Sequence, residues 1–161
     1  MNKTYALITG ASSGIGLEIS NCLAKKGFNL VLTARSKDKL NKISKEIQSK
    51  NNVKVDFISC DLNNKESPFK IFDYCVSKKY EISILVNNAG FANPDKFHET
   101  SMDDEERFIR VLATSVISLT KLFIKTMLEK KYGRIMIVSS VAAFAPPSSI
   151  QSLYGPIKTF M

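Results

Sequence analysis

Short apolar runs alternate along the chain with longer stretches in which apolar residues recur at helical spacing. Residues 4–9 predict a first strand. Ile15, Ile19 and Leu23 then mark one face of a helix over 15–26. A second strand is predicted at 29–33, and Leu40, Ile43 and Ile47 define a helix ending near Lys50. Residues 53–59 predict a third strand, 69–77 a third helix and 82–86 a fourth strand. A long helix follows over 102–131, with Phe108, Leu112, Val116, Leu119 and Phe123 along one stripe. A fifth strand is predicted at 134–139, and a last helix begins near Ser152. Strands rich in Val, Ile and Leu that alternate with helices specify a parallel sheet covered on both faces. The expected fold is therefore α/β: a Rossmann-type, doubly wound parallel sheet in three layers, with ligands beyond the carboxyl ends of its strands.

Composition narrows the partners more than the fold. With 161 residues, 44% of them hydrophobic, the chain can bury a core, and residues 1–161 are expected to form a single domain. The fifth strand would leave an open parallel edge, which is a liability. The expectation is thus a C-terminally incomplete sheet lacking its last strands, poorly stable and inactive by itself. No apolar run approaches the roughly 18 residues of a membrane span, and the strand-like segment starts too early for a signal peptide. Cys22, Cys60 and Cys75 are scattered and have no clustered histidines. They predict reduced thiols of a cytoplasmic protein, not a disulfide framework or a metal site. The net charge of +8 is spread over several helix faces without an arginine stripe, so no nucleic-acid partner is expected.

The first strand runs into Thr9-Gly10-Ala11-Ser12-Ser13-Gly14-Ile15-Gly16, which opens a helix. Glycines there permit positive φ and a close backbone approach. The helix N-terminus offers free N–H groups to a pyrophosphate, with Ser12 and Ser13 adding hydroxyls. Asp61-Leu62 follows the third strand, Asn87-Asn88-Ala89-Gly90 the fourth, and Tyr154 and Lys158 lie four residues apart in the last predicted helix. In this order, the spacings T-G-x-x-x-G-x-G, N-N-A-G and Y-x-x-x-K resemble the short-chain dehydrogenase/reductase family over the whole chain. Sugar epimerases and dehydratases space their glycines differently.

The resemblance implies an oxidoreductase that moves a hydride between a nicotinamide cofactor and a carbonyl or alcohol. It implies cofactor contacts from Gly10, Ser12, Ser13, Gly14, Ile15, Gly16, Asp61, Leu62, Asn88, Ala89, Gly90, Tyr154 and Lys158. An NAD site carries an acid about 20 residues past the glycines. Arg35 stands there instead, with Lys37 nearby, and a guanidinium suits a 2′-phosphate. The expected cofactor is NADP(H).

Tyr154 is implied as proton donor, with Lys158 beside it favouring the phenolate. Ser140 is implied to hydrogen-bond the substrate oxygen. It lies one residue further from the tyrosine than is usual, so the segment Pro146-Pro147-Ser148-Ser149 is expected to hold one extra residue. Ser139 is then a strand-end residue. Leu112 occupies a position where many members carry a relay asparagine, which leaves Thr114 or Ser115 as substitutes. The most similar members are ketoreductases of acyl or steroid-like carbonyls, and homo-oligomers are common among them. The lone histidine, His98, is read as a surface residue, and the acids at 103–106 as helix-start chemistry rather than a metal site. A competing class is a nucleotide-binding remnant without catalysis.

Overall fold

The computed structural model describes residues 4–92, 95–146 and 152–161. β-Branched and leucine-rich runs form five parallel strands: β1 (Tyr5–Thr9), β2 (Asn29–Ala34), β3 (Val55–Ser59), β4 (Ile82–Asn87) and β5 (Arg134–Ile137). Their order is β3-β2-β1-β4-β5. Successive strands are added outward on one side of β1 up to β3 and on the other side from β4. This switch in strand order opens a crevice at the carboxyl ends of β1 and β4, where ligands of doubly wound sheets bind.

Helices cover both faces. α1 (Gly14–Lys25) and α2 (Lys37–Lys50) pack on one side over Ala6, Ile8, Leu30 and Leu32. On the other side lie α3 (Ser67–Ser77), α4 (Met102–Ile109), α5 (Ser115–Glu129) and α6 (Tyr154–Phe160). Leu7, Val31 and Leu85 meet Ile71, Phe108, Leu119, Phe123 and Ile157 there. Period-two alternation along β1 thus sends Ala6 and Ile8 to one core, Tyr5 and Leu7 to the other.

Two expectations change in detail. The fully buried face of α1 is Gly16, Ser20 and Ala24, not Ile15, Ile19 and Leu23. Small side chains let α1 lie close on the sheet, and Ile15, 62% exposed, is left at the crevice mouth. The long helix runs over Met102–Glu129 but is not α-helical throughout. Residues 110–114 form a π turn between α4 and α5, where the Ser115 hydroxyl donates back to the Val111 carbonyl at 2.7 Å. Such back-bonding locally loosens a helix, and single π turns cluster at functional sites.

Within Met102–Glu129 one 18-residue window has a mean hydropathy of 1.5, so the helix is long and apolar enough by length and composition to cross a membrane. It packs against α3, β4 and β5, and 44% of that window is buried, as in a core helix. Ser101 caps α4 as its sequence context predicts, its Oγ accepting from the Asp104 N–H at 3.1 Å.

Candidate active site

The β1–α1 turn is shaped by two glycines with positive φ, Gly10 at +67° and Gly14 at +54°. A Cβ on Gly10 would lie 2.8 Å from the Ala89 Cα, and one on Gly16 would strike the Gly10 carbonyl. Bare backbone is therefore required at both positions. Thr9 and Asn88 lock the turn to the end of β4. The Thr9 hydroxyl accepts from the N–H groups of Asn88 and Ala89 at 2.9 and 3.0 Å. The Asn88 amide donates to the carbonyls of Thr9 and Gly10 at 2.9 and 3.3 Å.

A cavity of about 550 Å³ extends from this turn along the carboxyl ends of the strands. Gly10, Ser12, Ser13 and Ile15 line it at the turn, with Asp61 and Leu62 after β3 and Asn88, Ala89 and Gly90 after β4. Arg35 lies at one end, beside Ser36 and Lys39. Tyr154 and Lys158 lie at the other, with Ser139. Asp61 also organises its own loop, its carboxylate accepting from the Asn63 N–H at 3.0 Å.

Three predicted residues stand outside the lining: Gly14, Gly16 and Ser140. Gly16 is buried against the Gly10 carbonyl, whereas exposed Gly14 contributes its positive φ to the turn. The Ser140 hydroxyl accepts from the Ala142 N–H at 3.2 Å, capping a short 3-10 turn over Val141–Ala143. Ser139, read from sequence as a plain strand-end residue, lines the cavity and donates to the Lys158 carbonyl at 2.6 Å. The expected extra residue near Ser148 falls on 147–149, outside the described residues.

The basic end differs from the sequence reading. Lys39, not Lys37, lines the cavity. The Ser36 side chain accepts from the Lys39 N–H, so α2 starts at Lys37 and its first turn carries Lys39 to the cavity wall. Thr33 also lines the cavity, and its buried hydroxyl oxygen has no partner among the described residues. Arg107 and Val111 of the α4 region reach the cavity as well, with Arg107 stacked 5.1 Å over the Phe91 ring. Long-range proximity of this kind leaves no mark in local sequence.

At the other end Lys158 is 6% exposed, and burial pushes its pKa down. Its Nζ donates to the Val138 carbonyl at 2.9 Å and lies 5.8 Å from the centre of the Tyr154 ring. Leu112 is fully buried in the π turn and packs toward Gly90. The Ser115 hydroxyl is committed to its own helix. His98 is exposed, and among the described residues no three metal-ligating side chains gather.

A profile of short chain dehydrogenases matches residues 4–161. The chain belongs to the short-chain dehydrogenase family. Among curated family members, it is 34% identical to a very-long-chain 3-oxoacyl-CoA reductase of Vanderwaltozyma polyspora, over 99% of this chain and 48% of that protein. It is also 34% identical to hydroxysteroid dehydrogenase-like protein 1 of Gallus gallus, over 98% of this chain and 47% of that protein. A short-chain dehydrogenase from Sphingobium yanoikuyae, solved in complex with NADPH, superposes with a TM-score of 0.91 at 31% identity. That match covers 98% of this chain and 60% of the other. The chain thus spans about half the length of these curated relatives.

Proposed function

We propose that this chain carries the cofactor site and proton-transfer groups of an oxidoreductase that moves a hydride between NADP(H) and a carbonyl or alcohol. One observation carries the reading. A single cavity holds the glycine turn, the Arg35–Lys39 pair and the Tyr154–Lys158 pair.

The residues present fit the cofactor. Bare glycine backbone at Gly10 leaves room for a pyrophosphate against the N-terminus of α1. Arg35 and Lys39 supply cationic donors for a 2′-phosphate, and no acid stands in their place to receive a 2′-hydroxyl. Asp61 and Leu62 border the adenine end, while Asn88, Ala89 and Gly90 form the wall opposite the turn. Of the three Lys158 donors one is used on Val138, leaving two for ribose hydroxyls. Bound NADPH supplies the hydride.

In reduction Tyr154 would give its phenolic proton to the carbonyl oxygen as the cofactor's hydride reaches the carbonyl carbon, so that the alcohol leaves and the phenolate remains. The Lys158 ammonium favours the resulting phenolate. Ser140 is the proposed donor to the substrate oxygen. Its hydroxyl accepts from Ala142 and retains its proton, whereas the Ser139 proton is engaged by the Lys158 carbonyl. The substrate class proposed from the relatives is an acyl or steroid-like ketone. The three free thiols support a reducing, cytoplasmic setting.

The test is Tyr154→Phe in the full-length protein, assayed by NADPH oxidation with a panel of ketones. Turnover should fall by about 10²-fold or more, with the dissociation constant for NADPH nearly unchanged. Tight NADPH binding without turnover of any carbonyl by the wild type would make the chain a nucleotide-binding remnant instead.

A further inference from the structure

Four acids open α4, but only one is buried. Glu105 is 3% exposed, whereas Asp103, Asp104 and Glu106 face solvent. A buried carboxylate costs several kcal/mol unless hydrogen bonds compensate. Two hydroxyls do so here. Thr100, in the loop before α4, donates to Glu105 Oε1 at 2.6 Å. Ser152, two residues before Tyr154, donates to the same oxygen. Glu105 also lies in the first turn of α4, where the helix dipole favours negative charge. Its second oxygen, Oε2, is buried without a partner among the described residues.

This carboxylate sits where three segments meet. The Ser152 N–H donates to the Asp95 carbonyl at 3.1 Å, so the loop after β4 and the approach to α6 are joined beside it. One turn further along α4, the Phe108 ring lies 6.3 Å from the Tyr154 ring. Glu105 and Phe108, three residues apart, share a helix face. α4 therefore holds the start of α6 at two points: a charge-assisted hydrogen bond to Ser152 and an aromatic contact to Tyr154. An apolar side chain at 105 would fill the space but could not fix Ser152 in direction.

We propose that Glu105 is a positioning residue that sets the Tyr154 hydroxyl relative to the cavity by anchoring Ser152. The proposal rests on Tyr154 being the proton donor. Displacing a reacting group by about 1 Å can cost about 10²-fold in rate.

The experiment compares Glu105→Ala, Glu105→Gln, Ser152→Ala and the double variant Glu105→Ala/Ser152→Ala in the full-length protein. Readouts are kcat, NADPH affinity by fluorescence, and melting temperature. Glu105→Ala and Ser152→Ala should each lower kcat about tenfold or more, with NADPH affinity held. The double variant should lose no more than the worse single one. Glu105→Gln, which keeps an acceptor for both hydroxyls, should recover part of the loss. If Glu105→Ala does not fold, the half-buried Ser152→Ala carries the same prediction alone. Lowered melting temperatures with unchanged kcat in the folded variants, or strictly additive losses, would overturn the positioning role. A fully active Tyr154→Phe would instead overturn the catalytic reading beneath it.

Discussion

Charge placement around the proposed 2′-phosphate is decided by single side chains. Arg35 follows β2 directly, and Lys39 is turned toward it by the Ser36 cap. Charge-assisted hydrogen bonds contribute about 1.5–3 kcal/mol each, so Arg35→Asp should weaken NADPH binding by roughly 10- to 100-fold and shift preference toward NADH. Fluorescence titration with both cofactors checks this, and unchanged NADPH affinity would sink the assignment. Adding Lys39→Ala to Arg35→Ala should weaken NADPH further while leaving NADH nearly untouched. The two serines at the end of β5 separate in the same way. Ser140→Ala should reduce kcat, whereas Ser139→Ala, which breaks a bond to the Lys158 carbonyl, should mainly lower the melting temperature.

At the scale of elements, the β1–α1 turn tolerates no side chain at Gly10. Gly10→Ala forces an L-residue to φ +67° and a Cβ to within 2.8 Å of Ala89 Cα. The positive φ alone costs roughly 1–2 kcal/mol. Calorimetry should show a melting temperature lower by several degrees, at about 2–4 °C per kcal/mol, together with lost NADPH binding.

A second link joins α3 to β3 at the opposite end of the sheet. The Asp56 carboxylate accepts from the hydroxyls of Tyr74 and Tyr80 at 2.7 and 2.8 Å. Burial alone would raise the Asp56 pKa. The bonds from both tyrosines and the Phe57 N–H, with Lys78 nearby, outweigh burial and hold it below the usual carboxylate value. Burial and the Asp56 carboxylate push both tyrosines up. Because the folded Asp56 pKa is depressed, its stabilisation is present above the unfolded value of about 3.9. It is lost as pH falls through the lower folded value. Asp56→Asn should therefore be less stable than wild type at neutral pH, and the gap should close in acid. A gap independent of pH would exclude the carboxylate as its source.

For the molecule as a whole, the edge strand β5 is the least covered part of the sheet. Met136 and Ile137 of the edge strand β5 are 48% and 37% exposed, beside Val141 and Phe144 at 86% and 93%. Exposed apolar groups of this size, on and beside a strand edge with no paired neighbour among the described residues, promote association. The 161-residue chain by itself is expected to bind a hydrophobic dye and to sediment as a mixture of species. Met136→Lys combined with Phe144→Ser should reduce both effects. A monodisperse monomer that binds no dye would contradict this.

Five strands, their helices and the helix cap at Ser101 follow from the sequence, because apolar runs and helical spacing mark where elements lie and capping is local, whereas the fully buried face of α1 does not. The glycine turn follows too, since only a residue without Cβ fits there. The tertiary structure decided what depends on distant neighbours. Leu112 in the π turn at 110–114 packs toward Gly90, and Lys39 rather than Lys37 lines a cavity whose other walls come from the β1–α1 turn and the ends of β3 and β4. Glu105, indistinguishable in sequence from the acids beside it, became a buried anchor only when Thr100 and Ser152 were folded against it. Local chemistry is written along the chain, whereas which polar groups meet in the dry interior is settled only once the chain has closed on itself.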